Sequence, residues 1–455
     1  MDSQCAAALW QQMWQGLRGT DPLPTPTFLE PDTFSSAFAV SELAATSIGL
    51  ASQALSDLLG HATPLSVNVR LASRWFQHSV IPLNRPPATL WDPFAGDYAC
   101  ADGWIRLHTN AAHHRTAMES VLGLHADRVA LAQTVAGWPA AKLEQAVIDA
   151  GGCAAQMRSE AQWLQHPQGL ALQQEALIDQ QANGEAPVPN WPMPTARPLL
   201  GVRVLDLTRI IAGPVATRFL ASLGAQVLRI DPPDWQEPTL EEEITCGKRC
   251  ARLDLKTAAG REQLRELLHH SDVLVHGYRA DALDKLGLDA DTRRKLAPGL
   301  VDVSLNAWGW HGPWRNRRGY DSLVQMGCGI AEQGLHWSGK AQPTPLPVQA
   351  LDHATGYMMA AAVLEGLRQR LINGVGWQAR LSLARTARLL QQYGAAPANS
   401  QSGIHAERDD VLSELEINPW GIAQRLRAAA YLPGTPMICA TSGVKLGSHA
   451  ARWQD

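Results

Sequence analysis

Gly201-Val-Arg-Val-Leu-Asp-Leu-Thr208, followed by Gly213-Pro214, is the stretch that decides the fold of this chain. Its apolar residues predict a short buried strand over 202–207. The glycine and proline are typical of a helix start and predict a helix over 214–223. A strand that leads directly into a helix is the first half of a βαβ unit.

The same alternation continues toward the C-terminus. Further strands are predicted over 227–230, 251–255, 273–275 and 300–305, with a helix over 260–269. Short strands that alternate with helices indicate a mostly parallel sheet covered on both faces. We therefore expect an α/β fold with a Rossmann-like sheet in a large domain.

The N-terminal half has a different pattern. An apolar helix is predicted over 35–59, a strand over 65–71 and a loop over 82–93. A smaller α/β unit follows from Gly96. Its predicted elements are strands at 103–108 and 153–157, helices at about 111–122, 126–136 and 139–150, and a further helix after residue 157.

These patterns divide the chain into five parts. The stretch Pro187-Val-Pro-Asn-Trp-Pro-Met-Pro194, with Pro198, favours an extended linker over a helix. The predicted parts are a helix–strand segment (1–92), a small α/β domain (93–186), the proline-rich linker (187–198), the Rossmann-like large domain (199–393) and a C-terminal segment of unassigned role (394–455).

Composition narrows the class of protein. The 455 residues are 45% apolar and 18% charged with a net charge of -4, and basic residues are scattered, which argues against nucleic-acid binding. Seven dispersed cysteines favour free thiols in a reducing compartment, and Cys246 and Cys250 lack a second ligand pair for a metal. The pattern shows no secretion leader and no apolar run of the roughly 18–20 residues needed to span a bilayer. We expect a cytoplasmic protein without a metal or membrane partner.

Leu351-Asp-His-Ala-Thr-Gly-Tyr357 is the strongest candidate for chemistry. It places Asp352 at the start of a helix that is apolar nearly all round over 354–367 and should be buried. A carboxylate there can stay ionised through the helix dipole and free amides, yet remain accessible enough to attack an acyl group. The alternative is that Asp352 only caps the helix.

Other polar groups are weaker candidates. The helix start at Gly213 can bind an anion or can simply connect strand to helix, and the Gly-x-Gly-x-x-Gly fingerprint of a nicotinamide site is absent. Gly247-Lys-Arg249 and Lys256 are interpreted as phosphate-neutralising groups or as a solvated face. Glu241-Glu-Glu243 is predicted to be a solvated loop or helix start, and His113-His114 to be exposed.

A faint internal repeat is visible. Glu42-Leu-Ala-Ala-Thr46 resembles Asp352-His-Ala-Thr-Gly356, and Val69-Arg-Leu71 resembles Ala379-Arg-Leu381, both at an offset of 310 residues. The segment 1–92 would then contain a degenerate copy of the helix that starts near Asp352.

These residues together resemble the class III CoA-transferase family, which includes formyl-CoA and carnitine CoA-transferases and the related α-methylacyl-CoA racemases. The resemblance covers about 200–390, with weaker markers for the family's small domain at Ala101-Asp-Gly-Trp104 and His166-Pro167. Its landmarks in order are Gly201–Thr208, Ala212-Gly-Pro214, Leu223-Gly-Ala225, Gly247-Lys-Arg249, Leu253-Asp-Leu-Lys256, Asp272-Val-Leu-Val275, Gly319-Tyr-Asp321 and Leu351-Asp352. In the family the small domain follows the catalytic helix, so the order here is interpreted as permuted or fused.

The resemblance also implies site residues. Asp352 falls where the family has its nucleophile. Positions that match the family's CoA site are Ile210, Ile211, Leu253, Lys256, Gly277, Tyr278, Lys285, Leu286 and Arg318. Pro232 replaces a basic residue that is common at a position in contact with CoA, so the family's adenosine-phosphate contacts are not implied at this position. Gly277 replaces an asparagine, which removes one side-chain contact. Family members form interlocked dimers, so a homodimer is expected.

The implied function is transfer of CoA from an acyl-CoA to a small carboxylic acid, through an aspartyl mixed anhydride and an aspartyl-CoA thioester, without a metal or redox cofactor. Three alternatives stay open. A racemase would need a base where Tyr320 stands, and a tyrosine with a pKa of about 10 is a poor one. The chain could instead be a non-catalytic CoA-binding homologue, or a nucleotide-dependent oxidoreductase, which the missing glycine fingerprint disfavours.

Overall fold

The structure is a computed structural model that describes residues 1–60, 65–393 and 403–454. Its strands are β1 (Thr27–Leu29), β2 (Ser66–Asn68), β3 (Val80–Pro82), β4 (Gly96–Cys100), β5 (Gly103–Leu107), β6 (Ala154–Gln156), β7 (Asp179–Glu185), β8 (Arg203–Leu207), β9 (Gln226–Asp231), β10 (Lys248–Arg252), β11 (Val273–His276), β12 (Val301–Asn306), β13 (Val375–Ser382), β14 (Val411–Asn418), β15 (Gly421–Leu426) and β16 (Ala430–Tyr431).

Helices separate most of these strands. They are α1 (Ser3–Arg18), α2 (Val40–Leu58), α3 (Val69–Gln77), α4 (Ala112–Leu122), α5 (Arg128–Val135), α6 (Ala140–Asp149), α7 (Glu160–Gln165), α8 (Pro167–Leu172), α9 (Ala212–Ser222), α10 (Glu241–Ile244), α11 (Ala258–His269), α12 (Ala290–Leu296), α13 (Asp321–Gly327), α14 (Ile330–Ser338), α15 (Ala350–Asn373) and α16 (Leu383–Gln391). Within the described residues, no helix is both long enough and apolar enough to cross a membrane.

The predicted α/β sheet is confirmed. Seven strands lie in the order β10-β9-β8-β11-β12-β13-β7, and all neighbours are parallel except β13 and β7. Alternate residues of β8 face opposite sides, so Val204 joins the core that contains α9 and α15, while Leu205 and Leu207 join a second core under α11. Both faces are therefore covered, as the apolar strands require.

A separate core forms under the small sheet β4-β5-β6. Ile105 and Leu107 of β5 pack there with residues of α4, α5 and α6. Arg106 lies between these two residues on the strand and therefore faces the other side. The next strand in the chain, β7, leaves this unit and forms the antiparallel edge of the large sheet.

Two predicted strands differ by several residues from the observed ones, whereas the others agree to within one residue at each end. In the stretch 65–71 only Ser66–Asn68 is a strand, because the Asn68 side chain accepts a hydrogen bond from the Leu71 N–H at 2.9 Å and starts α3. The strand predicted at 251–255 is Lys248–Arg252 instead. It ends there because the Asp254 side chain accepts from the Lys256 N–H, which makes a turn before α11.

The C-terminal segment packs against the N-terminal one. Strand β15 pairs with β14 and β3, and β16 pairs with β2. The first residues of this segment, 394–402, lie outside the described residues. The linker 187–198 contains no helix or strand, as its prolines predict.

Candidate active site

Asp352 is the third residue of α15, and only 6% of it is exposed. The cap position belongs to Gln349, whose side chain makes no capping hydrogen bond. The Asp321 carboxylate instead accepts a hydrogen bond from the Asp352 N–H at 2.9 Å. The interpretation of Asp352 as a helix cap is therefore wrong, because Asp321 supplies the cap from a different element and leaves the Asp352 side chain available.

The electrostatic expectation for Asp352 is also corrected. Burial raises the pKa of Asp352 well above its ordinary value, and the neighbouring charge of Asp321 raises it further. Burial likewise raises the pKa of Asp321, although a hydrogen bond from Gln325 opposes the shift. Burial and a second carboxyl group therefore outweigh the helix start, which was expected to keep Asp352 ionised.

Two cavities meet at Asp352. The first, the cationic chamber, has a volume of about 430 Å³. It lies at the C-terminal ends of β8, β11 and β12, where open parallel sheets bind ligands. The charged and aromatic residues that line it include His113, His114, Arg209, Trp235, Tyr278, Arg279, Arg315, Arg317, Arg318 and Asp352. Five arginines around one cavity favour the binding of anions there.

The second cavity, the neutral chamber, has a volume of about 250 Å³. It shares Ile210, Trp235, Tyr320 and Asp352 with the cationic chamber. Its other walls come mainly from the loop before the small domain and from the loop before α10, including Leu90, Trp91, Asp92, His108, Ile211, Glu237, Pro238 and Leu240. Asp352 is thus reached from two sides that differ in charge.

A residue with a strained backbone, Ile210, lines both chambers. Ile210 has φ of +68°, a left-handed conformation that β-branched residues rarely adopt. Its N–H donates to the Glu237 carboxylate at 3.0 Å, and Glu237 is itself paired with buried Arg229. The ion pair holds the loop between β8 and α9 in this conformation, with Ile210 beside Asp352.

The structure brings together part of the predicted CoA set. Ile210, Gly277, Tyr278 and Arg318 line the cationic chamber, and Ile211 lines the neutral one. Four others line neither chamber: Leu253 and Leu286 pack against the second core, Lys256 is exposed, and exposed Lys285 pairs with Asp281. The role of these four residues in CoA binding stays a prediction.

Three weaker candidates have structural roles instead. Lys248 was expected to neutralise phosphates or to be solvated, but it is fully buried and pairs with Asp206 at 3.0 Å. Glu243 is not solvated, because it binds buried Arg218 and the hydroxyl of Ser79. His114 is buried against Cys153 rather than exposed. Across the described ranges, no cluster of His, Cys, Asp or Glu could hold a metal ion.

Sequence reasoning missed most of the cations. Arg209 donates to the Tyr278 hydroxyl at 3.1 Å and lies over the rings of Tyr278 and Trp235. Arg315 and Arg317 precede Arg318 in one loop, and this cluster was the signal available in the sequence. No sequence pattern pointed to His108 as a site residue, because its position beside Tyr320 depends on how the small domain packs against the large sheet.

The part of the chain that forms this site is similar to known proteins. Residues 199–417 match the model of CoA-transferase family III. We call residues 199–417, which are similar to this family, the family III region. The family III region contains the seven-stranded sheet apart from β7, and it contains every residue of the predicted site.

Individual relatives match the same part. The chain is 35% identical over 200 residues to the acetyl-coenzyme A transferase nodX of Hypoxylon pulicicidum, covering 43% of this chain and 34% of the relative. It is 33% identical over 195 residues to succinyl-CoA:glutarate CoA-transferase of Mus musculus, covering 40% and 44%. The crystal structure of Rv3272 from Mycobacterium tuberculosis is 32% identical with a TM-score of 0.39, covering 43% of this chain and 57% of that one. The matches therefore span less than half of these two relatives.

Proposed function

We propose that the protein transfers CoA from an acyl-CoA to a carboxylic acid, with Asp352 as the nucleophile. The observation that carries the proposal is the position of Asp352 at the junction of a cationic and a neutral chamber. A CoA thioester likewise has two ends that differ in charge, with anionic phosphates at one end and an acyl group at the other. Asp352 lies where the thioester carbonyl between them would be.

The cationic chamber suits the CoA half of the substrate. Arg209, Arg279, Arg315 and Arg318 offer guanidinium groups to the phosphates, and guanidinium binds phosphate oxygens in a bidentate manner. Tyr278 lies beside them with an aromatic face. Pro232, which stands in place of a basic residue, lies outside the chamber lining, so these arginines would carry the phosphate contacts.

The transfer proceeds in four balanced steps. A carboxylate oxygen of Asp352 attacks the thioester carbon, the C–S bond breaks, and CoA thiolate and a mixed anhydride form. The thiolate then attacks the Asp352 carbonyl, which releases the donor acid and leaves an aspartyl-CoA thioester. The acceptor carboxylate attacks this thioester, giving a second anhydride and CoA thiolate. The thiolate finally attacks the acceptor carbonyl and frees the Asp352 carboxylate.

A carboxylate is a weak nucleophile, so the site must supply much of the rate. Burial of Asp352 excludes water, which would hydrolyse the anhydrides. The first N–H groups of α9, from Ala212, have no intrahelical partner and face the developing oxyanion in this proposal. The chemistry needs no metal and no redox cofactor.

Racemisation is less well supported. The residue in the position of the family's base is Tyr320, which lies against the His108 ring with centroids 3.9 Å apart. Burial raises the pKa of Tyr320 above its ordinary value, so it would stay protonated at neutral pH. A group that holds its proton this tightly cannot abstract one from an acyl-CoA.

Mass spectrometry after incubation with an acyl-CoA and hydroxylamine tests the proposal. Hydroxylamine converts an Asp352 anhydride or thioester into a hydroxamate, which should appear on the peptide that carries Asp352. Asp352→Asn should give none, and Glu42→Gln should give the wild-type amount. A protein that binds acyl-CoA but forms no adduct would be the non-catalytic homologue instead. Gel filtration with light scattering tests the proposed homodimer.

A further inference from the structure

The neutral chamber differs from the cationic one in the groups that an acyl chain would meet. The described residues that line the neutral chamber include no lysine and no arginine. It does contain the carboxyl groups of Asp92 and Glu237 in addition to Asp352. A second carboxylate on the acyl group would therefore meet negative partners and no cation.

The two extra carboxylates already have partners in the fold. Asp92 accepts from the Thr109 hydroxyl at 2.6 Å and pairs with Arg115 at 3.4 Å. Glu237 accepts from the Ile210 N–H and pairs with Arg229. Neither carboxylate needs a substrate group, and both cations lie outside the chamber lining.

Aromatic rings form much of the remaining wall. Trp91, Trp235 and Tyr320 line the chamber together with the aliphatic side chains of Leu90 and Ile211. His108 stacks on Tyr320 and makes an edge contact with Trp91, with centroids 6.2 Å apart. Its buried Nδ1 has no hydrogen-bond partner outside its own residue. Burial lowers the pKa of His108 to about 3, so it adds a neutral hydrogen-bonding group and no positive charge.

Arg106 is a cation that contacts one ring of this wall. Its guanidinium lies over the Trp91 ring, 4.7 Å from the centroid, and pairs with Asp97 at 2.7 Å. It lines a neighbouring cavity with Leu90 and Trp91, and not the chamber that contains Asp352. An acyl group in the neutral chamber would reach the tryptophan ring before it reached Arg106.

From this arrangement we infer that the acid carried by this enzyme is an aromatic monocarboxylic acid, bound in the neutral chamber, and not a dicarboxylic acid. The inference rests on the proposed function, because it places the acyl group of the thioester beside Asp352. The volume of about 250 Å³ exceeds the roughly 150 Å³ in which a benzene molecule is held, so one ring with a short side chain fits. Aromatic walls favour such a ring through edge and stacking contacts.

The test compares phenylacetyl-CoA with succinyl-CoA as donors for the full-length protein. The rate of hydroxamate formation on Asp352 is measured for each in single-turnover reactions. We expect phenylacetyl-CoA to react about 100-fold faster, because a buried charge without a partner is strongly disfavoured. Equal rates, or a faster reaction with succinyl-CoA, would overturn the inference while leaving the proposed function intact. Absence of any Asp352 adduct with either thioester would instead refute the proposed function.

A charge introduced into the chamber sharpens the test. Leu90 lines the chamber and is 36% exposed, so Leu90→Arg can be accommodated without burying a charge. It should raise the succinyl-to-phenylacetyl ratio at least about 10-fold, since one ion pair is gained. Leu124→Arg, at a residue 84% exposed outside both chambers, is the matched control and should leave the ratio unchanged. If Leu90→Arg and the similar Thr89→Arg both leave it unchanged, the acyl group binds elsewhere and the inference is wrong.

Discussion

Helices α2 and α15 begin in the same way and differ in what their acids can reach. Glu42 and Asp352 are each the third residue of their helix, and both are buried. The cap residues Ala39 and Gln349 have nearly the same backbone angles, φ -75° and ψ 61° against φ -76° and ψ 64°. Each helix is followed by a strand and then by a short helix, α3 or α16, that a side-chain cap starts.

The two helix starts have different surroundings. The Glu42 carboxylate accepts from the Asp2 N–H at 2.7 Å, so the start of α1 covers it. Asp352 instead opens on two chambers, and Asp321 satisfies the backbone of its helix. An acid at the third position of a buried helix is therefore not a catalytic group by itself. Whether such an acid can act on a substrate depends on the cavities and the charged groups around it.

Replacing the acid of each helix should give the largest difference between the two helix starts. Asp352→Asn should reduce turnover at least about 10³-fold, because it removes the nucleophile while keeping the size of the side chain. Glu42→Gln should leave turnover unchanged. Steady-state exchange of CoA between two acids measures both. If the Glu42 variant keeps its fold but loses activity, the start of α2 takes part in catalysis.

Removing arginines of the cationic chamber, which lies at the start of α15 and not of α2, should have the next largest effect on catalysis. The double variant Arg279→Ser, Arg315→Ser should raise KM for acyl-CoA about 10-fold with a small change in kcat, since these exposed arginines are proposed to bind the phosphates and not the reacting carbon. The dependence of KM on salt should also weaken. Arg294→Ser, at an exposed arginine paired with Asp291 outside the chamber, is the control. A fall in kcat at constant KM would contradict the assignment.

The pH dependence tests the role of Asp321. Since Asp352 must lose its proton to attack, the rate of adduct formation should rise with pH through the raised pKa of Asp352. Asp321→Asn removes a neighbouring negative charge but keeps a hydrogen-bond acceptor for the Asp352 N–H. It should therefore lower the pKa of Asp352 and move the rate profile to lower pH. Ser322→Ala, which changes no charge, should leave the midpoint in place, and a shift to higher pH in Asp321→Asn would refute this reasoning.

Buried glycines in the two helices should give the smallest effects. A Cβ at Gly356 would lie 2.4 Å from the Ala212 carbonyl oxygen, so Gly356→Ala should push α15 and α9 apart and cost about 1–3 kcal/mol in the free energy of unfolding. A Cβ at Gly49 of α2 would meet the Trp10 and Val67 side chains at 3.3 and 3.4 Å. Because side chains can adjust and alanine gains helix propensity of about 1 kcal/mol, Gly49→Ala should change stability less. Urea denaturation of both variants measures the difference, and equal losses would contradict it.

Only one of the two pairings in the internal repeat agrees with the structure. The pairing of Glu42 with Asp352 agrees with the geometry of the helix starts. The pairing of Val69–Leu71 with Ala379–Leu381 does not, since the first is helical and the second lies in β13. The caps Asn68 and Ser382 are the equivalent residues, and the offset changes because α15 has 24 residues and α2 has 19.

Local sequence patterns were sufficient to predict several elements of the fold. The apolar strands of the large sheet, the helix after Gly213 and the buried helix at Asp352 follow from periodicity and caps, which act between residues close in the chain. The sequence also pointed to Asp352 through its place before an apolar helix.

Only the tertiary structure decided what surrounds that acid. The pKa of Asp352 depends on Asp321, the cationic chamber on arginines from three loops, and the neutral chamber on Trp91 and His108 from outside the family III region. The physical reason is that charge interaction and burial depend on distance in space. Residues such as His108 and Tyr320, 212 positions apart, come into contact only when the small domain packs against the large sheet.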